Sequence, residues 1–400
     1  SKSKERNAMP DIDGIIGLPF LKIQRVEEGS KLVLEVEYVG KVSCPHCQGS
    51  RTRKKTKFWR MVRHVSYGNR LCTLKVQSFK YYCLGCHKYF NLRIPGVLPR
   101  LRATEPFRRE VFDKHHHGMT GKDLSRMLGL GQATIERWYQ DHLKYRVRES
   151  HSEYDCPMIL GIDEHFFTRR LGFATTFVDL RNHRVMDVAL GRSEGSLDAY
   201  LRRLKNRDRV RFVLMDMSET YRGIVKKYFP NATIIADRFH VMRLVNHQFL
   251  RVWSTLDERG RKNRGLLSLF RRHSRNLSPE QKINFDRYLN EIPGLKYLYQ
   301  FKDELMELFT QKSRTRRQCK KLIPEFLTRI RELKEIPFAP LRTLGETLDS
   351  WSEEIVRMWR FRKTNSITEG FHNKMEMISR RAYGFRNFEN YRLRVLATCR

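Results

Sequence analysis

Between residues 158 and 237 the chain changes hydrophobic period in a fixed order, and that order limits its possible folds more than any other feature. Stretches 158–163, 173–179 and 183–190 read as strands, 197–204 as an amphipathic helix, 210–216 as a strand, 220–228 as a helix and 231–237 as a strand. Two strands end in a carboxylate: Ile159-Leu160-Gly161-Ile162-Asp163 and Val213-Leu214-Met215-Asp216. An apolar strand that ends this way delivers the acid to the edge of a sheet, where it meets solvent. A third acid, Glu369, lies in the helical stretch Thr368-Glu369-Gly370-Phe371-His372-Asn373-Lys374. Three carboxylates converging without a counter-charge repel one another unless they share divalent cations. Hard oxygen ligands from separate elements are the donor set for phosphoryl transfer with two Mg2+ or Mn2+ ions per site. Asp163, Asp216 and Glu369 are therefore the expected metal ligands and catalytic residues.

Asp237 also ends a strand and competes with Asp216 for the second position. With His240 it forms either a polar pair beside the site or a helix N-cap. The two-residue strand period turns Glu164 to the face opposite Asp163. Glu369, Asn373, Glu376 and Arg380 share one helical face. Arg380, Arg381 and Arg386 are expected phosphate contacts.

The charge balance indicates what the phosphates belong to. The 400 residues carry 79 Lys and Arg against 44 Asp and Glu, a formal charge of +35, so the expected partner is nucleic acid. There is no apolar run of membrane-spanning length. The N-terminal stretch 1–10 has no apolar signal core, which predicts an intracellular, cytoplasmic protein. Eight Cys are too few for a disulfide scaffold, and in a reducing compartment paired Cys read as metal ligands. Cys44-Pro45-His46-Cys47 and Cys83-Leu84-Gly85-Cys86, joined by strands at 60–65 and 72–79, predict a zinc ribbon holding one structural Zn2+. Cys72 falls on a strand face as packing, and four Cys leave no need for His46 or His87 as ligands.

Residues 120–128, the turn Gly129-Leu130-Gly131 and residues 132–139 match a helix-turn-helix with core Leu124, Leu128, Ile135 and Trp138. Gln132, Thr134, Glu136 and Arg137 lie near the exposed face of its second helix, with Gln132, Thr134 and Arg137 as DNA contacts. His115, His116 and His117 read as a surface run. A charged helical region follows residue 240, in which Arg316 and Arg317 are further DNA contacts.

The chain therefore reads as a multidomain protein. It has a lead-in with a strand (1–40), a zinc ribbon (41–100) and a helix-turn-helix (101–150). An α/β catalytic domain (151–250 and 356–400) is interrupted by an all-α insertion (251–355). Three meandering strands, helix, strand, helix and strand is the order of the ribonuclease-H fold, in which the first and fourth strands are neighbours.

In this order the chain also carries Gly161-Ile162-Asp163-Glu164, Asp237-Arg238-Phe239-His240-Val241, the stretch around Glu369, and Arg381-Ala382-Tyr383-Gly384-Phe385. With the four-Cys ribbon and the helix-turn-helix, these blocks resemble bacterial insertion-sequence transposases of the ISL-three family over nearly the whole chain. The resemblance implies a DDE catalytic domain that cuts double-stranded DNA at terminal inverted repeats and joins the ends to target DNA. It also implies a homodimer or larger assembly on DNA and no membrane. The family pattern has an Asn two residues after Glu-Gly; here Phe371-His372-Asn373 follows, and Asn373 is aligned with it. Two other readings are a domesticated relative that only binds DNA and a structure-specific nuclease. Intact Asp163, Asp216 and Glu369 argue against the first, and two added DNA-binding modules argue against the second.

Overall fold

A computed structural model describes residues 14, 16–98, 101–150, 155–361 and 366–399. The N-terminal stretch 1–10 and the junction at 150/151 lie outside or at the margin of these residues. The chain divides into two compact units, 1–146 and 147–400.

The first unit opens with β1 (Leu21–Glu27), β2 (Leu32–Tyr38), β3 (Thr52–Tyr67), β4 (Arg70–Cys83) and β5 (Tyr89–Asn91). They form one sheet in the order β1-β2-β4-β3, with β5 on β4. Leu32, Leu34 and Val36 alternate inward against Cys72, Leu74 and Val76, so Cys72 is core packing as expected. The strands expected at 60–65 and 72–79 are the middle of a longer hairpin. Its outer half, including Arg53, Lys54 and Lys55, is exposed and held by backbone pairing to β4, which leaves no apolar alternation to read. β1 was not expected: it buries only Leu21 fully and is broken by a bulge between Ile23 and Arg25.

Three helices complete this unit: α1 (Glu105–His116), α2 (Gly121–Leu128) and α3 (Gln132–Ser150). The Thr104 and Thr120 hydroxyls accept from the first-turn amides of α1 and α2. Gly129, at φ 59°, adopts the left-handed turn that ends α2 at little steric cost. Leu124, Leu128, Ile135 and Trp138 pack with Phe107 and Val111, as predicted. The histidine run is corrected. His115 and His116 are half-buried, with ring contacts to Tyr139 and hydrogen bonds to Met119 O and Tyr139 Oη; only His117 is exposed.

The second unit begins with β6 (Ile159–Thr168), β7 (Gly172–Asp179), β8 (Arg184–Leu190), α4 (Glu194–Arg203), β9 (Phe212–Met215), α5 (Glu219–Tyr228) and β10 (Thr233–Ala236). The sheet order is β10-β9-β6-β7-β8, so the first and fourth strands are neighbours, paired in parallel with Ile162 opposite Met215. Leu160, Ile162, Val213 and Met215 are buried at the centre. Each such side chain stabilises the fold by roughly 1.5–3 kcal/mol. At position 161 an added Cβ would come within 3.2 Å of Leu180, so glycine allows the close packing there.

Helices α6 (Arg238–Leu256), α7 (Glu258–Lys262), α8 (Arg264–Arg271), α9 (Pro279–Glu291), α10 (Leu295–Thr310), α11 (Arg316–Glu335), α12 (Ala339–Ser350) and α13 (Ser352–Arg360) follow. α6 and α13 run across the expected boundaries at 250/251 and 355/356. Trp253, Phe270, Phe285 and Tyr299 form an aromatic core in this array. There the buried Lys302 ammonium donates to Phe270 O and Arg272 O, satisfying carbonyls at the C-terminal end of α8. Finally α14 (Ser366–Arg381) buries Phe371, Met375 and Ile378, and α15 (Phe388–Thr398) is tied to β8 by a bidentate Arg392–Asp187 pair at 2.6 and 2.8 Å. Among the described residues no helix is long and apolar enough to cross a membrane.

Candidate active site and metal centres

Strand pairing explains how the acids meet. β9 stops at Met215, whereas β6 continues to Thr168 along β7. Asp163 is therefore not a strand-terminal residue, as the sequence suggested, but a mid-strand residue just beyond the last pair with β9. Asp216 follows directly on the neighbouring strand. Asp163 is 7% exposed; its Oδ1 accepts from the Glu164 amide. Asp216 Oδ1 is buried and has no hydrogen-bond partner among the described residues.

Burial, chiefly, pushes the Asp163 carboxyl up to about 7 and that of Asp216 to about 6. The charge of Asp237 adds to both shifts, Asp216 adds to that of Asp163, and Glu164 adds to that of Asp216, while His240 opposes both. For His240 itself, burial would lower the imidazole's pKa. The hydrogen bond and charge of Asp237, with the charges of Asp163 and Asp216, outweigh burial and raise it. The three aspartates thus carry more negative charge than His240 balances. A buried carboxylate oxygen without a donor in that field suits a divalent cation.

Asp237 is committed elsewhere. It caps α6 by accepting from the Phe239 amide at 3.3 Å, and it accepts from His240 Nδ1 at 2.6 Å. Both sequence readings of this residue hold together, as N-cap and as partner of His240. The next residue, Arg238, is buried and donates to Gln311 O and Met358 O, joining α6 to the C-terminal ends of α10 and α13.

Glu369 sits in the first turn of α14 and is exposed. Its carboxylate is not gathered with Asp163 and Asp216. Among the described residues, only the four thiols form a set of three or more donors within 4.8 Å. The residue of α14 that does reach the cluster is His372, whose Nδ1 lies 3.8 Å from Asp163 Oδ2. Glu369 lies three positions earlier, a neighbouring place on the helix. His372 Nε2 faces Thr176 Oγ1 at 3.3 Å, and His165 connects Thr176, at 3.0 Å, to Tyr391, at 2.8 Å. Burial is the main cause that lowers His165 to about 3 and His372 to about 4. No sequence pattern marks His165 or His372 as part of a network; His372's place three residues after Glu369 is the available signal. Asn373, Glu376 and Arg380 lie on the exposed side with Glu369, and Arg380 pairs with Glu376 at 2.6 Å. Glu164 pairs instead with Arg192 at 3.3 Å.

In the first unit, Cys44, Cys47, Cys83 and Cys86 form the other cluster. Cys44 Sγ lies 3.6 Å from Cys86 Sγ, and Cys47 Sγ lies 3.5 Å from Cys83 Sγ. The two turns are built alike. The amides of Gln48 and His87 donate back to the carbonyls of Cys44 and Cys83, and both residues take a left-handed conformation, at φ 59° and 57°. The amides of Cys86 and Gly85 favour the Cys83 thiolate and bring it down to about 6. Four free thiols at this spacing form a donor set for one tetrahedral metal ion.

Of the expected DNA contacts, Gln132 and Arg137 are exposed on α3 and Thr134 is half-buried. Arg316 and Arg317 are exposed on the first turn of α11, and Arg381 and Arg386 flank the turn between α14 and α15.

The sequence profile of the ISL-three DDE family, described as Transposase, matches residues 160–395. The chain is also 27% identical, over 407 aligned positions, to the transposase for insertion sequence element IS1001 of Bordetella parapertussis, with 98% of each chain covered. The chain belongs to the ISL-three family of transposases.

Proposed function

We propose, from this family membership, that the protein binds the terminal inverted repeats of its insertion sequence and catalyses metal-dependent strand cleavage and strand transfer. The observation that carries the reading is the buried, unpartnered Asp216 Oδ1 beside Asp163, in a cluster with excess negative charge. Asp163 and Asp216, on adjacent strands of a ribonuclease-H-like sheet, would hold the divalent ions, and Glu369, exposed in the first turn of α14, would supply the third carboxylate. Two Mg2+ or Mn2+ ions held by these carboxylates would supply Lewis-acid chemistry for activating a water or 3′-hydroxyl and for stabilising the leaving oxygen. The chain's own part is orientation. β6 and β9 fix the two aspartates, Asp237 fixes His240, and the Thr176–His165–Tyr391 chain fixes His372 beside Asp163.

Cys44, Cys47, Cys83 and Cys86 hold one structural Zn2+ in a ribbon. The α2–α3 helix-turn-helix reads bases through Gln132, Thr134 and Arg137, while Arg316, Arg317, Arg380, Arg381 and Arg386 contact phosphates. The protein acts in the cytoplasm on nucleoid DNA, as a dimer or larger assembly that brings two ends together. The test is incubation of a labelled element end with Mg2+, the products being read at nucleotide resolution. A cut at the element terminus is expected. Specific end binding with no metal-dependent cut would overturn the reading.

A further inference from the structure

A groove of about 880 Å3 runs along α6, walled by Phe239, Met242, Leu244 and Leu250 and rimmed by Arg243, His247 and Arg271. His240 lines it too, so the groove opens beside the acid cluster through the same imidazole that Asp237 holds. Two features bear on what fills it. Phe239 is 49% exposed and offers an uncovered aromatic face. Arg243, His247 and Arg271 are exposed and have no ion pair or side-chain hydrogen bond among the described residues, so the two guanidinium charges are uncommitted.

An apolar, partly aromatic slot with a cationic rim matches a nucleotide: the base enters, and its phosphates remain at the rim. We infer that this groove holds one unpaired nucleobase of the DNA strand bound at the acid cluster. The inference rests on the proposed strand-cleavage function and extends it. The base stacks on Phe239, and Arg243 and Arg271 contact the flanking phosphates. Extrusion draws the scissile phosphate away from the paired duplex and towards Asp163 and Asp216. It costs unstacking and unpairing, which the groove contacts offset.

The test scans 2-aminopurine through a terminal duplex of the element, bound to the full chain with divalent metal withheld so that nothing is cut. At one position near the cleavage site the emission should depart severalfold from its paired-duplex value. In Phe239→Ala it should return towards that value. With Mg2+ added, Phe239→Ala should cut the fully paired end roughly five- to a hundredfold more slowly, the equivalent of one base–aromatic stack. A mismatch at the responding position, which lowers the cost of extrusion, should recover most of that loss, a rescue that a misfolded variant would not show. Arg243→Gln combined with Arg271→Gln should slow cutting in the same direction. The inference is overturned if no position responds in a complex that binds ends specifically. It is also overturned if Phe239→Ala cuts paired ends at the wild-type rate. If the wild-type protein binds but never cuts, the cleavage reading fails, while the emission scan still decides what the groove holds.

Discussion

The thiol cluster and the acid cluster gather donors for a cation by opposite routes. Each pair of thiols comes from one tight turn, and all four sulfurs are already within 4.8 Å of one another. The acids come from β6, the end of β9 and α14, elements placed by a buried sheet, and only two of the three stand together. A closed set of soft ligands from local turns belongs to a metal that holds the fold together. An open set of hard ligands from a preformed sheet belongs to a metal that comes and goes with substrate.

The largest effect should separate the two clusters by stability. Cys44→Ser or Cys83→Ser should lose about one zinc per chain and unfold the first unit, because structural zinc binding contributes on the order of 10–16 kcal/mol. Asp216→Asn should leave both zinc content and fold intact. Elemental analysis with circular dichroism checks this, and a well-folded protein without zinc would dissolve the contrast.

The next effect is on chemistry. Asp163→Ala, Asp216→Ala and Glu369→Ala should each reduce strand cleavage by roughly three orders of magnitude or more, with end binding little changed. Asp237→Ala should reduce it less, because Asp237 acts through His240. If Asp237→Ala is inactive and Asp216→Ala is fully active, the second ligand is Asp237.

A smaller effect is set by pH. Asp163 and Asp216 have folded-state pKa values raised above those of the unfolded chain, to about 7 and about 6. The folded state therefore binds more protons across that range. The stability these groups contribute is present below about pH 4 and is lost as pH rises towards 7. Metal-free protein should thus lose on the order of a few kcal/mol of unfolding free energy between pH 4 and 7, beyond what other groups contribute, and Asp163→Asn with Asp216→Asn should flatten that slope. Denaturant titration across the range measures it. An identical slope in the double variant would refute it.

The smallest effect concerns reading of DNA. Gln132→Ala with Arg137→Ala should erode discrimination between an element end and random duplex by about 1–3 kcal/mol. Arg316→Ala with Arg317→Ala should weaken both by a similar factor and reduce the salt slope. Paired titrations at two salt concentrations check this. Retained preference in the Gln132 and Arg137 variant would move base reading to the ribbon.

What was legible in the sequence follows the same contrast. The thiol cluster could be read because each turn is a short local motif. The order of the second sheet could be read because buried strands carry unbroken apolar runs, and the adjacency of the first and fourth strands followed from it. The end of β6 could not. Residues His165, Phe166 and Thr168 continue the strand through pairing with β7, and no local signal marks where β9 stops beside it. β1, with one fully buried residue, had no periodicity to reveal it. His165 and His372 were hidden for a different reason. They are more than 200 residues apart in sequence, and only the packing of α14 and α15 on the sheet brings them to a ring separation of 5.2 Å. Glu369 was found by its sequence context, yet the structure leaves it exposed while its helix neighbour His372 faces Asp163.

The most direct test of two centres with two roles is chelation and add-back on a labelled element end. Brief EDTA treatment followed by desalting should stop cleavage while zinc stays bound, and Mg2+ alone should restore cutting in the wild-type protein but not in Asp216→Asn. Restoration that requires zinc, or full cutting by Asp216→Asn, would contradict the assignment of cleavage to the acid cluster.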